Sequence, residues 1–220
     1  LDINPAWPHA VQYAEAFHLK PAPQMARFVR RLTVFQDHGQ GSNKRARYTE
    51  LRSRIAQRFG PPGTAAETVF LRRGTDGQAR LIAEEDRVAE TLEMRGCRIV
   101  SVDGSSLKSL ADELRYAKTV ITVEGSHINH AYFLTPYGLD LCVLMPDDRA
   151  TFVHRGFSNA FGGRFGYIVC PKGENGYRAS VDDILRTLDM FGDAKAIQAG
   201  RHQSDSSTCA SCDPQEFERS

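Results

Sequence analysis

The feature that most constrains the fold is a regular alternation of short apolar runs and amphipathic segments in the middle of the chain. The apolar runs are typical of strands and lie at residues 69–71, 98–102, 119–123 and 141–145. The segments between them have helical spacing and lie at residues 84–95, 106–117 and 126–133. Strands that alternate with helices form a parallel sheet, and runs that are apolar throughout suit strands covered on both faces. The pattern predicts an α/β fold, a Rossmann-like parallel sheet with helices on both faces.

Weaker signals on either side extend this prediction. An apolar run at 167–170 predicts a further strand, and a capping-box pattern at 180–183 opens a predicted final helix. Nearer the amino terminus, residues 32–35 predict a short strand and residues 48–59 a helix. We therefore divide the chain into a partial N-terminal domain or connecting segment (1–65), a Rossmann-like domain with a C-terminal helix (66–198) and a disordered tail (199–220).

Composition places the chain among ordinary globular proteins. Of its 220 residues, 41% are hydrophobic and 25% charged, with a net charge of +1, which supports a packed core and does not point to nucleic acid as a partner. No apolar run approaches the roughly 20 residues of a membrane-spanning helix, and the first residues lack a signal-peptide pattern. Because the chain does not begin with Met, it could be a fragment or a truncated reading of a longer protein. Cys97, Cys142 and Cys170 lie in or beside apolar runs and predict buried thiols in a reducing, cytoplasmic setting.

The segment 25–60 is strongly basic and leaves two interpretations open. Nine arginines and lysines stand there against only Asp37 and Glu50. Such a segment could contact nucleic acid or an anionic membrane surface, so a peripheral membrane contact is one possibility. The more common explanation is a solvated helix face.

The first candidate site is a group of arginines after the first predicted strand of the alternation. Arg72 and Arg73 follow the run 69–71 directly, and Arg80 comes a few residues later. Ligands of open parallel sheets bind beyond the carboxyl ends of the strands, and guanidinium groups offer paired donors to phosphate oxygens. These arginines are therefore candidates for binding a diphosphate. The alternative is that they are solvated or paired with Glu84 and Glu85.

The second candidate site follows the strand 119–123. Its polar or flexible residues are Glu124, Gly125, Ser126, His127, Asn129 and His130. The glycine allows a close approach of the backbone, and the N–H groups of a helix opened by Ser126 would suit an anion. In the alternative, Ser126 is only a helix cap, and His127 and His130 are ordinary surface or core residues. A metal site would need ligands that we cannot identify, so neither a metal nor a cofactor is predicted.

A third pattern, the C-x-x-C at Cys209 and Cys212, is weak. It lies in the predicted tail without a second cysteine pair, so neither zinc nor redox chemistry is favoured.

Together, the two candidate sites resemble motifs of glycosyltransferase family 61. Residues 70–73, followed by Arg80-Leu81-Ile82-Ala83-Glu84-Glu85, are similar to the family's strand ending in arginine and its R-x-I-x-N-E pattern. Residues 117–133 are similar to A-x-x-I-V-G-x-H-G-A-G-L-T-N-x-x-F, and residues 141–146 resemble the next strand. The similarity spans about residues 66–150. Glu124 stands where many members have His, and Ser126-His127 replaces the family's Ala-Gly pair. The departures resemble a bacterial capsular or exopolysaccharide-type member, seen in its C-terminal half.

The resemblance implies a fold and an activity. It implies the nucleotide-sugar-binding C-terminal domain of a GT-B glycosyltransferase, and an inverting reaction that moves a sugar from a nucleotide-sugar donor to a glycan acceptor without a bound metal. The donor or its phosphates would then be bound by Arg72, Arg73, Arg80 and the stretch 125–130. The fallback candidates for catalysis are Glu124 and His127. Such enzymes commonly take the catalytic base from the N-terminal domain.

Two other hypotheses remain open at this stage. The chain could be a non-catalytic module that binds a nucleotide or a sugar phosphate. It could also be a subunit of a complex that docks through its basic segment.

Overall fold

The computed structural model describes residues 8–19, 30–31, 42–60, 66–74, 80–135 and 138–192. The helices are α1 (Pro8–Ala16), α2 (Ser42–Phe59), α3 (Glu85–Glu93), α4 (Leu107–Leu114), α5 (Ile128–Leu134), α6 (Val153–Ala160) and α7 (181–192). The strands are β1 (Thr68–Arg72), β2 (Arg98–Ser101), β3 (Thr119–Val123), β4 (Asp140–Pro146), β5 (Phe165–Cys170), β6 (Lys172–Gly173) and β7 (Gly176–Tyr177). The predicted strand 32–35 and the predicted tail 199–220 lie outside the described residues.

Five of the strands form one parallel sheet in the order β2-β1-β3-β4-β5. Every residue of β3 and β4 is buried, because these strands lie inside the sheet with layers on both faces. The edge strands β2 and β5 alternate between buried and more exposed residues. The α/β Rossmann-like prediction is confirmed, and each of the five strands predicted from residue 69 onwards is present.

Two hydrophobic cores lie on opposite faces of the sheet. On one face, α3 and α7 pack against Phe70, Ile121 and Leu144. On the other face, α4 and α5 pack against Leu71 and Val120. The chain thus leaves β1 over one face to reach β2 and returns over the other face to β3. The predicted buried thiols Cys97, Cys142 and Cys170 are buried and free.

Helices α1 and α2 come from the predicted segment 1–65 and pack on the same core as α4 and α5. Ile55 is 1% exposed within that core, and Ala16 of α1 is also buried there. Arg52 Nε donates to the carbonyl of Tyr132 at 2.7 Å. The basic segment therefore turns one of its arginines inward, against α5. Whether 1–65 belongs to a separate domain stays a prediction.

None of the helices in the described part of the chain is long and apolar enough to cross a membrane.

Candidate functional site

The two predicted sites meet at the carboxyl edge of the sheet. Strands β1 and β3 are direct neighbours, with Leu71 in register with Thr122. The loop that begins at Arg73 therefore lies beside the loop that begins at Glu124. Because the chain crosses opposite faces of the sheet from this pair of strands, a crevice opens between them, and open α/β sheets bind their ligands at such a point.

A buried ion pair joins the two loops. Arg80 Nε lies 3.2 Å from Glu124 Oε2, and the two side chains are only 9% and 7% exposed. Arg80 Nη1 also donates to the backbone carbonyl of Glu124 at 3.0 Å. Moving the two loops apart would leave both buried charges without a partner, which costs free energy. The pair therefore fixes the spacing of the two loops.

A further arginine, which the sequence reasoning missed, lies at the same carboxylate. Arg149 Nε is 3.5 Å from Glu124 Oε2, and its side chain is 52% exposed. This residue follows β4, the other neighbour of β3. A search of every predicted strand end for arginine would have found it, since 141–145 was already a predicted strand. Glu124 thus lies between one buried and one half-exposed guanidinium group.

The hydrogen bonds of His127 define its tautomer. Thr122 Oγ1 donates its single proton to the carbonyl of Leu71 at 2.7 Å. His127 Nε2 lies 2.7 Å from the same hydroxyl oxygen, so it must carry the proton and donate it. Nδ1 of the neutral ring is therefore an acceptor. It is buried and has no hydrogen-bond partner among the residues that the structure describes.

The surroundings of His127 keep its ring neutral. The pKa of His127 is lowered to about 3, chiefly by burial and then by the charges of Arg73, His130, Arg80 and His154, in that order. A cationic ring would lose hydration and face two guanidinium groups. The imidazole therefore acts as a neutral acceptor at physiological pH.

Gly125 lies between the two key side chains. A Cβ atom added there would lie 2.9 Å from Arg80 Nη1 and 2.9 Å from His127 Nδ1. A larger residue would push these groups apart, so the glycine permits their close approach. The predicted approach of a ligand to this glycine stays a prediction.

With this geometry in place, comparison with known families identifies the chain. The family model described as Glycosyltransferase 61 matches residues 7–143, more than half of the chain. The chain belongs to glycosyltransferase family 61. A comparison with curated proteins found no match. The family match begins well before the resemblance at 66–150 and includes α1, α2 and both strand-end loops. As a glycosyltransferase, the protein has a donor and an acceptor substrate.

In this glycosyltransferase, a small hairpin holds the segment that carries Arg80. Strands β6 and β7 pair antiparallel, and Tyr177 pairs with Ile82 across the carboxyl edge. Ala83 N donates to the carbonyl of Tyr177, and Tyr177 N donates to the carbonyl of Leu81, both at 2.8 Å. This backbone ladder positions the residues next to Arg80.

Arg72 of the transferase points to α3. Its guanidinium group lies 2.8 Å from Glu85 Oε2 and 2.8 Å from Asp86 Oδ1. Glu84, the other residue considered as its partner, pairs with Arg87 instead. The structure therefore gives Arg72 an ion-pair role at the first turn of α3, as the alternative interpretation expected.

The loop after β3 differs in detail from the prediction. Helix α5 begins at Ile128, two residues later than predicted, so its N-cap is His127 rather than Ser126, and the His127 side chain makes no cap hydrogen bond. The N–H groups of residues 128–130 donate to the carbonyls of residues 125–127 at 3.0 to 3.2 Å. These bonds occupy the N–H groups of residues 128–130, and anion binding by the N–H groups of residues 126 and 127 stays a prediction. Ser126 and Asn129 are exposed.

His130 turns away from His127 and packs against α1. Tyr13 Oη lies 3.1 Å from His130 Nδ1, and the ring of His9 lies 4.7 Å from that of His130. Burial and the charge of His9 lower the pKa of His130 to about 4. Within the described residues, no three of His, Cys, Asp and Glu are grouped so that they could hold a metal ion.

Proposed function

We propose that this transferase binds the diphosphate of a nucleotide-sugar donor at the carboxyl edge between β1 and β3 and moves the sugar to a glycan acceptor. The observation that carries the proposal is the meeting of Arg80 and Arg149 on Glu124 at the crevice beside Gly125. Arg73 adds its charge to the same place, since it acts on the His127 ring.

The chemistry explains why arginines belong at this edge. When the sugar leaves, negative charge develops on the departing nucleoside diphosphate, and fixed donors stabilise that charge most effectively. Glu124 holds Arg80 in place before the donor arrives. Arg149 is the more exposed of the two cations, so a phosphate can reach it readily. Arg73 and Arg149 would then contact the diphosphate, with Arg80 behind them.

Glu124 and His127 are better suited to positioning than to base catalysis. The Glu124 carboxylate is buried and lies within ion-pair distance of two arginines, which favour its charged form and make it a weak base. Because the pKa of His127 is lowered to about 3, its ring is a weak base at neutral pH. We propose that the base comes from another part of a GT-B enzyme facing this edge, in an inverting reaction of bacterial surface polysaccharide synthesis. That reaction would take place in the cytoplasm.

The test is calorimetric titration with UDP, GDP, ADP and CDP, followed by an assay of donor hydrolysis and transfer. We expect Arg73→Ala and Gly125→Val to weaken binding of the best nucleotide at least 10-fold, the loss expected for about 1.4 kcal/mol. Arg98→Ala is the matched control, because this exposed arginine lies at the amino end of β2 and pairs with Glu113.

Three outcomes are informative. Unchanged binding in both site variants would reject the site. Binding without hydrolysis or transfer, in the full-length natural protein, would favour a non-catalytic nucleotide-binding module. Loss of binding in Arg98→Ala as well would indicate a general loss of structure.

A further inference from the structure

We propose that His127 Nδ1 accepts a hydrogen bond from a hydroxyl group of the nucleotide-sugar donor and so selects that group. This inference rests on the proposed function and deepens it. The hydroxyl belongs either to the ribose or to the transferred sugar, and the experiment below separates the two sources.

The first support is the state of the acceptor itself. The His127–Thr122–Leu71 chain of hydrogen bonds places the proton on Nε2 and leaves a lone pair on Nδ1. Nδ1 is buried without a partner among the residues that the structure describes. Buried polar atoms are almost always paired, and an unpaired acceptor costs free energy, so a donor for Nδ1 is expected from a ligand.

The second support is the neighbouring donor. Arg80 Nη1 and His127 Nδ1 are each 2.9 Å from one point beside Gly125, so they lie within twice that distance of each other. That point is one bond length from Gly125 Cα, so an oxygen atom that contacts both nitrogens would lie farther out from the glycine backbone. Arg80 Nη1 carries two protons and gives only one of them to the carbonyl of Glu124.

The polarity of the pair identifies the ligand group. A hydroxyl oxygen can accept from Arg80 and donate its own proton to His127. An ionised phosphate oxygen could accept from Arg80, but it has no proton for Nδ1 and its lone pairs would repel that atom. The pair thus distinguishes a hydroxyl from a phosphate oxygen. Since Nδ1 is shielded from solvent, the hydroxyl reaches it only with a local adjustment of the side chains around it.

Two substitutions at this position separate the binding role from the structural one. His127→Gln places an amide N–H near the position of Nε2, so it keeps the hydrogen bond to Thr122 and removes the acceptor near Nδ1. His127→Asn places an acceptor near Nδ1 and loses the contact with Thr122. The first variant should impair ligand selection, and the second should impair mainly stability.

The experiment measures the affinity of the natural chain and both variants for UDP, 2′-deoxy-UDP, 3′-deoxy-UDP and UDP-glucose, or for the same set on the nucleoside that binds best. If the ribose supplies the hydroxyl, His127→Gln weakens UDP about 3- to 10-fold, the range of one neutral hydrogen bond, and leaves one deoxy analogue unchanged. If the sugar supplies it, only UDP-glucose is weakened. His127→Asn should retain selection and lower the melting temperature.

Two results would overturn the inference. One is equal affinity of His127→Gln and the natural chain for all four ligands. The other is an equal loss for all four, which is what a purely structural histidine would give. In both cases binding of UDP by the natural chain would leave the proposed function intact, whereas no binding of any nucleotide would remove that function first.

Discussion

At the residue scale, the site depends on how three adjacent groups share protons and charge. Glu124 holds Arg80, Gly125 leaves room beside it, and His127 presents a neutral nitrogen to the same space. His127 stands where the motif of glycosyltransferase family 61 has glycine. Its imidazole ring therefore fills space that a glycine would leave open. The added ring narrows the crevice and gives it a hydrogen-bond acceptor.

The lowered pKa of His127 predicts a dependence of stability on pH. The folded-state pKa of about 3 lies below the ordinary histidine value of 6.5, so between these values the unfolded chain binds a proton that the folded chain does not. Stability therefore falls as the pH drops below 6.5. Urea unfolding at several pH values should show that His127→Gln reduces this slope by about 1.4 kcal/mol per pH unit, the equivalent of one proton.

The control for this slope is Asn129→Gln, because Asn129 is exposed on α5 and carries no ionisable group. It should leave the pH dependence of the unfolding free energy as it is in the natural chain. Equal slopes for His127→Gln and the natural chain would mean that the imidazole is not held neutral by burial.

Sequence reasoning found most of the individual groups but not how they pair. It named Arg80, Glu124, Gly125 and His127, because polar residues directly after buried strands are conspicuous. It could not assign Arg80 to Glu124, since 44 positions separate them and only the adjacency of β1 and β3 brings them together. The tautomer of His127 depends on the hydroxyl of Thr122 in β3, and the proton of that hydroxyl goes to the carbonyl of Leu71 in β1.

At the element scale, the loops after the strands are held by segments with weak sequence signals. The hairpin β6–β7 pairs with residues 81–83 and thereby holds Arg80 next to the crevice. Strands of two residues have no periodicity to detect, so the hairpin was not predicted. The long apolar strands and the amphipathic helices were predicted, because burial on both faces or on one stripe leaves a repeating pattern.

A single glycine makes the hairpin contact possible. Gly176 has φ of 127°, and a Cβ atom there would lie 2.4 Å from the carbonyl oxygen of Leu81. Gly176→Ala should therefore destabilise the chain by about 2 kcal/mol or more, through backbone strain and the clash. Hydrogen exchange should become faster at Ala83 and Tyr177, and nucleotide binding should weaken because Arg80 loses its support.

Asn175→Ala is the matched control for that substitution, because Asn175 is the exposed neighbour in the same turn. It should change neither exchange nor binding. If Gly176→Ala left the amides of Ala83 and Tyr177 as well protected as before, the hairpin would not be what positions this segment.

At the scale of the whole molecule, the net charge is only +1, but arginines are concentrated at one edge of the sheet. The parallel topology brings the ends of β1, β3 and β4 to one edge, where Arg80 after β1 and Arg149 after β4 both lie at Glu124, the residue that follows β3. The opposite edge carries an ion pair of Arg164 Nη2 with Asp140 Oδ2 at 2.6 Å. Helices α1 and α2 complete one face of the sheet, which agrees with a family match that begins at residue 7.

The most direct test of this account is an amide-resolved NMR titration of the isotope-labelled chain with the nucleoside diphosphate that binds best. The account predicts that the largest shift changes fall at the carboxyl edge, in residues 72–74 and 124–127 and at Arg80 and Arg149. Asp140 and Arg164 at the amino edge should not respond. Changes concentrated at the amino edge, or none with any of the four nucleotides, would contradict the claim that this edge binds the donor.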